Sequence, residues 1–325
     1  MNYEQRYLHH KQQIDRRLKQ FIRQQEPRSL YGPLTYILEG GGKRIRPLIL
    51  LLSCEAVGGT ARYALQAAVA IEILHNFTLV HDDIMDNAAS RRGRPTVHTK
   101  WDLNVAILVG DELLALAYRA LLMTESHNIQ KIAKVFTEGV VEVCEGQAYD
   151  KEFETRRAVR VNDYLLMIEK KTAKMVAVAA EIGALIGNGT EASIHALRRY
   201  GEHVGRAFQI QDDLLDIVAN ERELGKALGG DLVEGKKTFL LLEALARAEG
   251  RERKMLQAVV SNKGVPRRLV PEYRRIYYHT GAIDAARRRI ERDIGQAKHE
   301  LHRLPSSDAK AMLVWLTDML LHRTF

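Results

Sequence analysis

The stretch Ala64-Leu65-Gln66-Ala67-Ala68-Val69-Ala70-Ile71-Glu72-Ile73-Leu74-His75-Asn76-Phe77-Thr78-Leu79-Val80 runs unbroken into His81-Asp82-Asp83-Ile84-Met85-Asp86. Ala68, Ile71, Leu74 and Leu79 make one apolar set, and Ala67, Ala70, Ile73 and Phe77 make a second beside it. A helix that is apolar all round belongs at the centre of a bundle, not at its surface. No breaker separates this helix from the acids, so they sit at its C-terminal end. Asp82 and Asp86 are one turn apart and share a face. His75 lies seven residues before Asp82, on nearly the same face.

A second cluster, Gln211-Asp212-Asp213-Leu214-Leu215-Asp216, also ends an apolar helix and repeats the spacing in Asp212 and Asp216. Gln209 lies three residues before Asp212 and joins that face. Six carboxylates near helix C-termini oppose the macrodipole and repel one another. A bound cation offsets that cost. Oxygen donors supplied one or two per ion fit Mg²⁺, which keeps waters and takes further oxygens from phosphate.

Outward from these helices the chain reads as helix after helix. None of the seven prolines lies between Pro95 and Pro266, and good helix formers dominate that interval. Helices are expected at about 2–25, 46–58, 61–89, 99–123, 128–154, 161–187, 190–220, 235–248, 250–261, 266–279, 281–302 and 306–323. Asn188-Gly189 lacks the alternating flanks of a hairpin; it reads as a helix C-terminus, with Thr190 as the next N-cap. With no linker, low-complexity tract or repeat, residues 1–325 are expected to form one all-α domain, a large helical bundle.

Composition narrows the function. The 325 residues are 46% apolar and 28% charged, with net charge +8, so a disordered chain is excluded. Cys54 and Cys144 alone make no disulfide framework, which points to a reducing, cytoplasmic setting. Leu48–Cys54 and Met175–Gly187 fall short of the roughly 20 apolar residues of a spanning helix, so no stable membrane insertion is expected. The basic run at Arg287–Arg292 is interleaved with acids, and aromatics are only 6%, so a nucleic-acid binder is not expected. A basic chain does suit a small, highly anionic substrate.

The cations gather near loops. Gly40-Gly41-Gly42-Lys43-Arg44-Ile45-Arg46-Pro47 is a glycine run entering a helix, with Pro47 suited to its first position; such a turn brings N–H groups to an anion. It is not a Walker loop, because Arg44 follows the lysine. Arg91-Arg92-Gly93-Arg94-Pro95-Thr96 begins five residues beyond Asp86, and guanidinium groups bind phosphate oxygens bidentately. Lys171-Thr172, Gly225-Lys226 and Gly235-Lys236-Lys237-Thr238 follow. Together they describe a place for two anionic groups, one on metal and one on Lys and Arg alone.

Asp82-Asp83-Ile84-Met85-Asp86 and Asp212-Asp213-Leu214-Leu215-Asp216 resemble the two aspartate-rich motifs of trans-prenyl diphosphate synthases. The loop at Lys43, Arg91-Arg92-Gly93-Arg94-Pro95-Thr96, Gly110-Asp111, Gly146-Gln147, Lys171-Thr172, Phe208-Gln209 and Gly225-Lys226 match in family order. The resemblance spans about residues 32–241 and is to geranylgeranyl diphosphate synthases of the archaeal kind. It implies antiparallel helices around a deep central cavity, usually in a homodimer. It implies that Lys43, Arg46, His75 and Arg92 hold the diphosphate of isopentenyl diphosphate. Asp82, Asp86 and Asp212 match Mg²⁺ ligands. Arg91, Lys171, Thr172, Gln209, Lys226 and Lys236 match residues around the allylic diphosphate, whether dimethylallyl, geranyl or farnesyl. His322-Arg323-Thr324-Phe325 is less basic than the tail that often closes these sites.

Phe77, five residues before Asp82, resembles a floor that stops elongation, and Thr78 stands where fifteen-carbon producers often carry a second bulky residue. A C20 product, geranylgeranyl diphosphate, is therefore expected, with farnesyl or longer products as the alternative. A class I terpene cyclase would carry a different second metal motif. A non-catalytic subunit of a heteromeric prenyl synthase would be expected to lose aspartates, and both clusters are intact.

Overall fold

The computed structural model describes residues 2–22, 26–219 and 228–321. The chain is all-α. Its helices are α1 Tyr3–Phe21, α2 Arg28–Leu38, α3 Ile45–Ala56, α4 Ala61–Met85, α5 Val97–Lys100, α6 Leu103–Leu122, α7 Ile129–Thr155, α8 Val161–Ile168, α9 Lys174–Ile186 and α10 Glu191–Val218. They continue as α11 Gly230–Val233, α12 Phe239–Arg247, α13 Gly250–Ser261, α14 Val270–His279, α15 Ala282–Leu301 and α16 Asp308–Leu321. The described residues within 1–136, 178–197 and 304–313 form one compact unit, and those within 137–177, 198–303 and 314–321 form another.

In the first unit α4 is the core helix, packed against α3 and α6. Residues on every side of it are buried, from Ala67 and Ala68 through Ile71, Ile73 and Leu74 to Phe77, as an all-round apolar helix requires. By length and composition α4 could cross a membrane, but 72% of its apolar window is buried inside the protein. Gly110 of α6 lets the helices approach: a Cβ there would overlap the His81 ring. The second unit is built on a core from Phe153 to Ile294 that joins α8, α10 and α12 to α15.

Several expectations are corrected. The chain from 26 to 45 holds α2, although Gly32 and Pro33 lie inside it; Pro33, Leu34 and Leu38 are buried, and that packing offsets the lost hydrogen bond. Pro47 is in the first turn of α3 but not first, because the helix starts at Ile45 behind Arg44 in a left-handed conformation (φ 52°). Helix 61–89 stops at Met85. A two-residue antiparallel ladder follows, β1 Ser90–Arg91 with β2 Arg94–Pro95, paired Arg91 to Arg94. Arg92 (φ 54°) and Gly93 (φ 72°) are both left-handed, as a tight type I′ hairpin demands. Helix 161–187 is interrupted by a π-turn, Glu169–Ala173. The Asn188-Gly189 stop holds: α9 ends at Ile186, Asn188 has φ 54°, and Thr190 Oγ1 accepts the Ser193 N–H at 3.2 Å.

Candidate active site

The first acid cluster splits by orientation. Asp86 caps the end of α4, and its N–H reaches the Asp82 carbonyl at 2.9 Å, so the one-turn spacing of the two carboxylates is kept. Asp83 points inward and is 3% exposed. Arg91 Nε donates to Asp83 Oδ1 at 2.7 Å, and its Nη2 lies 3.7 Å from Asp82 Oδ2. The hairpin thus returns a guanidinium to the acids that precede it. Burial pushes the Asp83 carboxyl up, against the pull of Arg91.

Two turns back along α4 is a site of cations. His75 Nε2 and Arg46 Nη1 lie 3.2 Å apart. Burial, then Arg46, Arg92 and Arg91, hold the His75 imidazole well below its ordinary pKa, so it stays neutral and accepts from Arg46. Arg92 Nη1 donates to the Gly41 carbonyl at 2.5 Å, and Tyr7 Oη donates to the Lys43 carbonyl at 2.9 Å. The hairpin and the glycine loop are thereby tied together. Arg44 is structural: it is buried and paired with Asp15 at 2.8 Å and Glu72 at 2.5 Å. The loop alternates a buried arginine with an exposed Lys43 and a half-buried Arg46.

In the second unit the acids divide again. Asp213 is buried; Tyr164 Oη donates to it at 2.6 Å and Gln209 Nε2 at 3.1 Å. Burial, with Asp231 nearby, raises its pKa to about 7. Asp216 Oδ2 accepts the Asp231 N–H at 3.1 Å and so ties the first turn of α11 to α10. Asp212 keeps a half-exposed position. Thr172 Oγ1 donates to Gln209 Oε1 at 3.0 Å, and Lys171 Nζ pairs with Asp150 Oδ2 at 2.5 Å. Both Lys171 and Thr172 stand on the π-turn, a bulge type frequent at functional sites.

Of the expected site residues, the first unit joins Arg46 to His75, ties Arg92 to the glycine loop that carries Lys43, and sets Arg91 against Asp82, one turn before Asp86. Phe77 is 7% exposed and meets the His81 ring edge-on at 4.8 Å; Thr78 Oγ1 donates to the His75 carbonyl at 2.8 Å. The second unit joins Thr172 to Gln209 and places Lys171 on the same turn. Lys236 instead pairs with Glu234 at 3.1 Å. Lys226 and the tail 322–325 lie outside the described residues. Asp150 and Tyr164 are supporting partners that the sequence hides, because their contacts span 21 and 49 residues. Gly110 of the Gly110-Asp111 motif has its reason here: a glycine inside an apolar helix marks a close approach, in this case to the His81 ring.

The acids that stay partly exposed, Asp82, Asp86 and Asp212, offer carboxylate oxygen, the chemistry of a hard divalent cation. Among the described residues, no group of three or more His, Cys, Asp or Glu side chains is gathered as a metal cage.

Residues 27–274 match the polyprenyl synthetase family. The chain is 40% identical over 310 residues to the short chain isoprenyl diphosphate synthase of Methanothermobacter thermautotrophicus, covering 95% of each. It is 38% identical over 315 residues to the geranylgeranyl diphosphate synthase of Methanosarcina mazei, covering 96% of this chain and 95% of that one. The crystal structure of geranylgeranyl pyrophosphate synthetase from Pyrococcus horikoshii superposes with TM-score 0.94 at 38% identity, covering 99% of this chain and 100% of that one. A family match and full-length relatives thus meet a fold that presents two split aspartate clusters, and the chain belongs to the polyprenyl synthetase family of prenyltransferases.

Proposed function

We propose that this protein is a Mg²⁺-dependent trans-prenyltransferase that adds isopentenyl diphosphate head-to-tail to dimethylallyl, geranyl and farnesyl diphosphates and yields geranylgeranyl diphosphate. One observation carries the reading: on α4, the paired Asp82 and Asp86 stand two turns from His75, whose neutral ring meets the Arg46 guanidinium of α3 at 3.2 Å. One diphosphate is bound through metal and the other by guanidinium and lysine alone. Asp82, Asp86 and Asp212 would hold Mg²⁺, which supplies Lewis-acid stabilisation of the departing diphosphate.

Each side chain then has a task. Lys43, Arg46 and Arg92 bind the isopentenyl diphosphate, and neutral His75 keeps Arg46 aimed. Arg91, Lys171, Thr172, Gln209, Lys226 and Lys236 surround the allylic diphosphate, and the cations among them stabilise its growing charge as the carbon–oxygen bond breaks. The isopentenyl double bond supplies the electron pair of the new carbon–carbon bond. A proton then leaves to the released diphosphate. Holding the two substrates together supplies much of the rate, and apolar walls keep water from the allylic cation.

Phe77, with Thr78 rather than a bulky neighbour beside it, supports the C20 product. Leu103, Ile107 and Leu108 stand exposed on α6, an apolar surface that supports a homodimer. The two free cysteines, Cys54 and Cys144, support a cytoplasmic setting, and residues 1–325 are taken as one catalytic domain. The test is incubation of pure protein with Mg²⁺, isopentenyl diphosphate and each allylic primer, followed by chromatography of the dephosphorylated products. A C20 alcohol is expected; absence of any elongated product overturns the reading, and a C15 or longer main product corrects its length.

A further inference from the structure

One buried charged cluster in the second unit has no part in the reaction described above. Asp293 of α15 is 3% exposed. Its Oδ1 accepts from Arg206 at 2.9 Å (Nη2) and 3.2 Å (Nε), and its Oδ2 accepts from Arg289 Nε at 2.8 Å. His203 Nδ1 lies within hydrogen-bond distance of both Asp293 Oδ1, at 3.0 Å, and Arg206 Nη2, at 2.7 Å. Buried ion groups are costly to desolvate and are poor devices for stability alone, whereas fixing one geometry is a use they serve.

Arg206 has one nitrogen left, and it leaves the cluster. Nη1 donates to Glu169 Oε2 at 3.1 Å. Glu169 is the first residue of the π-turn, and Thr172, three residues on, donates to Gln209, three residues beyond Arg206. Helix α10 therefore holds the π-turn by two struts, with Lys171 between them. Two glycines close the backbone around the same turn. A Cβ at Gly146 would stand 2.6 Å from Lys171 Cα, and one at Gly205 would stand 2.8 Å from Ala173 Cβ. A π-turn carries one residue more than an α-helical turn, so its register must be fixed by outside contacts.

We propose that Arg206, anchored by Asp293, is a positioning residue for prenyl transfer: its bond to Glu169 fixes the π-turn in the register that presents Lys171 and Thr172 to the allylic diphosphate. The proposal rests on the reading of Lys171 and Thr172 as allylic-diphosphate ligands. Arg206 touches no substrate and acts through Glu169.

Steady-state kinetics with each substrate varied in turn, on full-length protein, test this beside thermal melting. Glu169 is half-exposed, with 48% of its side chain accessible, so Glu169→Ala is expected to melt like wild type. Its KM for the allylic primer should rise about tenfold, the scale of a lost charged hydrogen bond, while the KM for isopentenyl diphosphate holds. Arg206→Met should give the same split, Arg206→Lys should recover part of it, and the double variant should be no worse than Arg206→Met. Lys171→Ala is measured alongside. An allylic KM unmoved in Lys171→Ala sinks the underlying ligand assignment. An allylic KM raised in Lys171→Ala but unmoved in Glu169→Ala overturns the positioning role alone. Equal rises in both KM values also overturn it, since a merely structural defect spares neither substrate.

Discussion

Arg46 and His75, 29 residues apart in the chain, meet at 3.2 Å between Nη1 and Nε2. The arginine is the donor, because burial and the surrounding guanidinium groups keep the imidazole neutral. The pair holds a fixed positive charge, which the proposed isopentenyl diphosphate site would use without metal. Replacing Arg46 by Ala is expected to raise the KM for isopentenyl diphosphate about 10- to 100-fold, the value of a charged hydrogen bond, and to move the allylic KM far less. Initial rates with each substrate varied decide this, and equal shifts would refute the division into two anion sites.

The split within each acid cluster gives opposite outcomes for neighbouring aspartates. Asp82→Ala should lower turnover by about three orders of magnitude, the scale of metal-based charge stabilisation, with little change in melting temperature. Asp216→Ala should do the reverse in stability and cost about 1–3 kcal/mol, because the Asp231 N–H loses its acceptor. Chemical denaturation and turnover at saturating Mg²⁺ measure both. An active Asp82→Ala enzyme would remove the metal assignment.

Phe77 is enclosed at 7% exposure and rests edge-on against His81. Its truncation to Ala leaves a void and should cost about 3–5 kcal/mol. The same void should admit further five-carbon units, so products longer than C20 are expected in the chromatogram. An unchanged product from folded Phe77→Ala would show that the floor lies elsewhere.

Burial raises the pKa of Asp293, but hydrogen bonds from His203, Arg289 and Arg206 outweigh it and hold the carboxyl far below the usual carboxylate range. A depressed folded pKa contributes stability above the unfolded value of about 3.9 and loses it as the pH falls further. Wild type should therefore melt above Asp293→Asn at neutral pH, and the gap should narrow as the pH drops below about 4. A gap independent of pH would show that the carboxylate charge is not what holds the cluster.

Leu108 is 59% exposed on α6. If this surface is the homodimer contact, Leu108→Glu should shift the protein from dimer to monomer in light scattering, since it places a charge in an apolar interface. A dimer that survives the change would place the contact elsewhere.

Much of this molecule is legible in one dimension. The apolar content of 64–80 and of the helix before Asp212 dictates buried helices, because a 3.6-residue period turns composition directly into a face. The same period places Asp82 over Asp86 and His75 over both. Other features are invisible to it. Helix α2 contains Gly32 and Pro33, whose local preference is against a helix, and forms because Leu34 and Leu38 are buried. The tight hairpin at Arg92-Gly93 turns Arg91 back onto Asp83. The π-turn reads as plain helix in sequence.

Local chemistry by itself thus determined the helical class, the two acid clusters and the cationic loops, since each depends on residues within a few turns of one another. Only the tertiary structure decided which acids stay accessible. Asp83, Asp213 and Asp216 are taken inward by Arg91, Tyr164 and the Asp231 backbone. It also decided where Lys171 stands, because contacts with Asp150, Gly146 and the turn held by Arg206 join residues 21 to 37 positions apart. Such contacts form only after the chain has folded, and no periodicity records them.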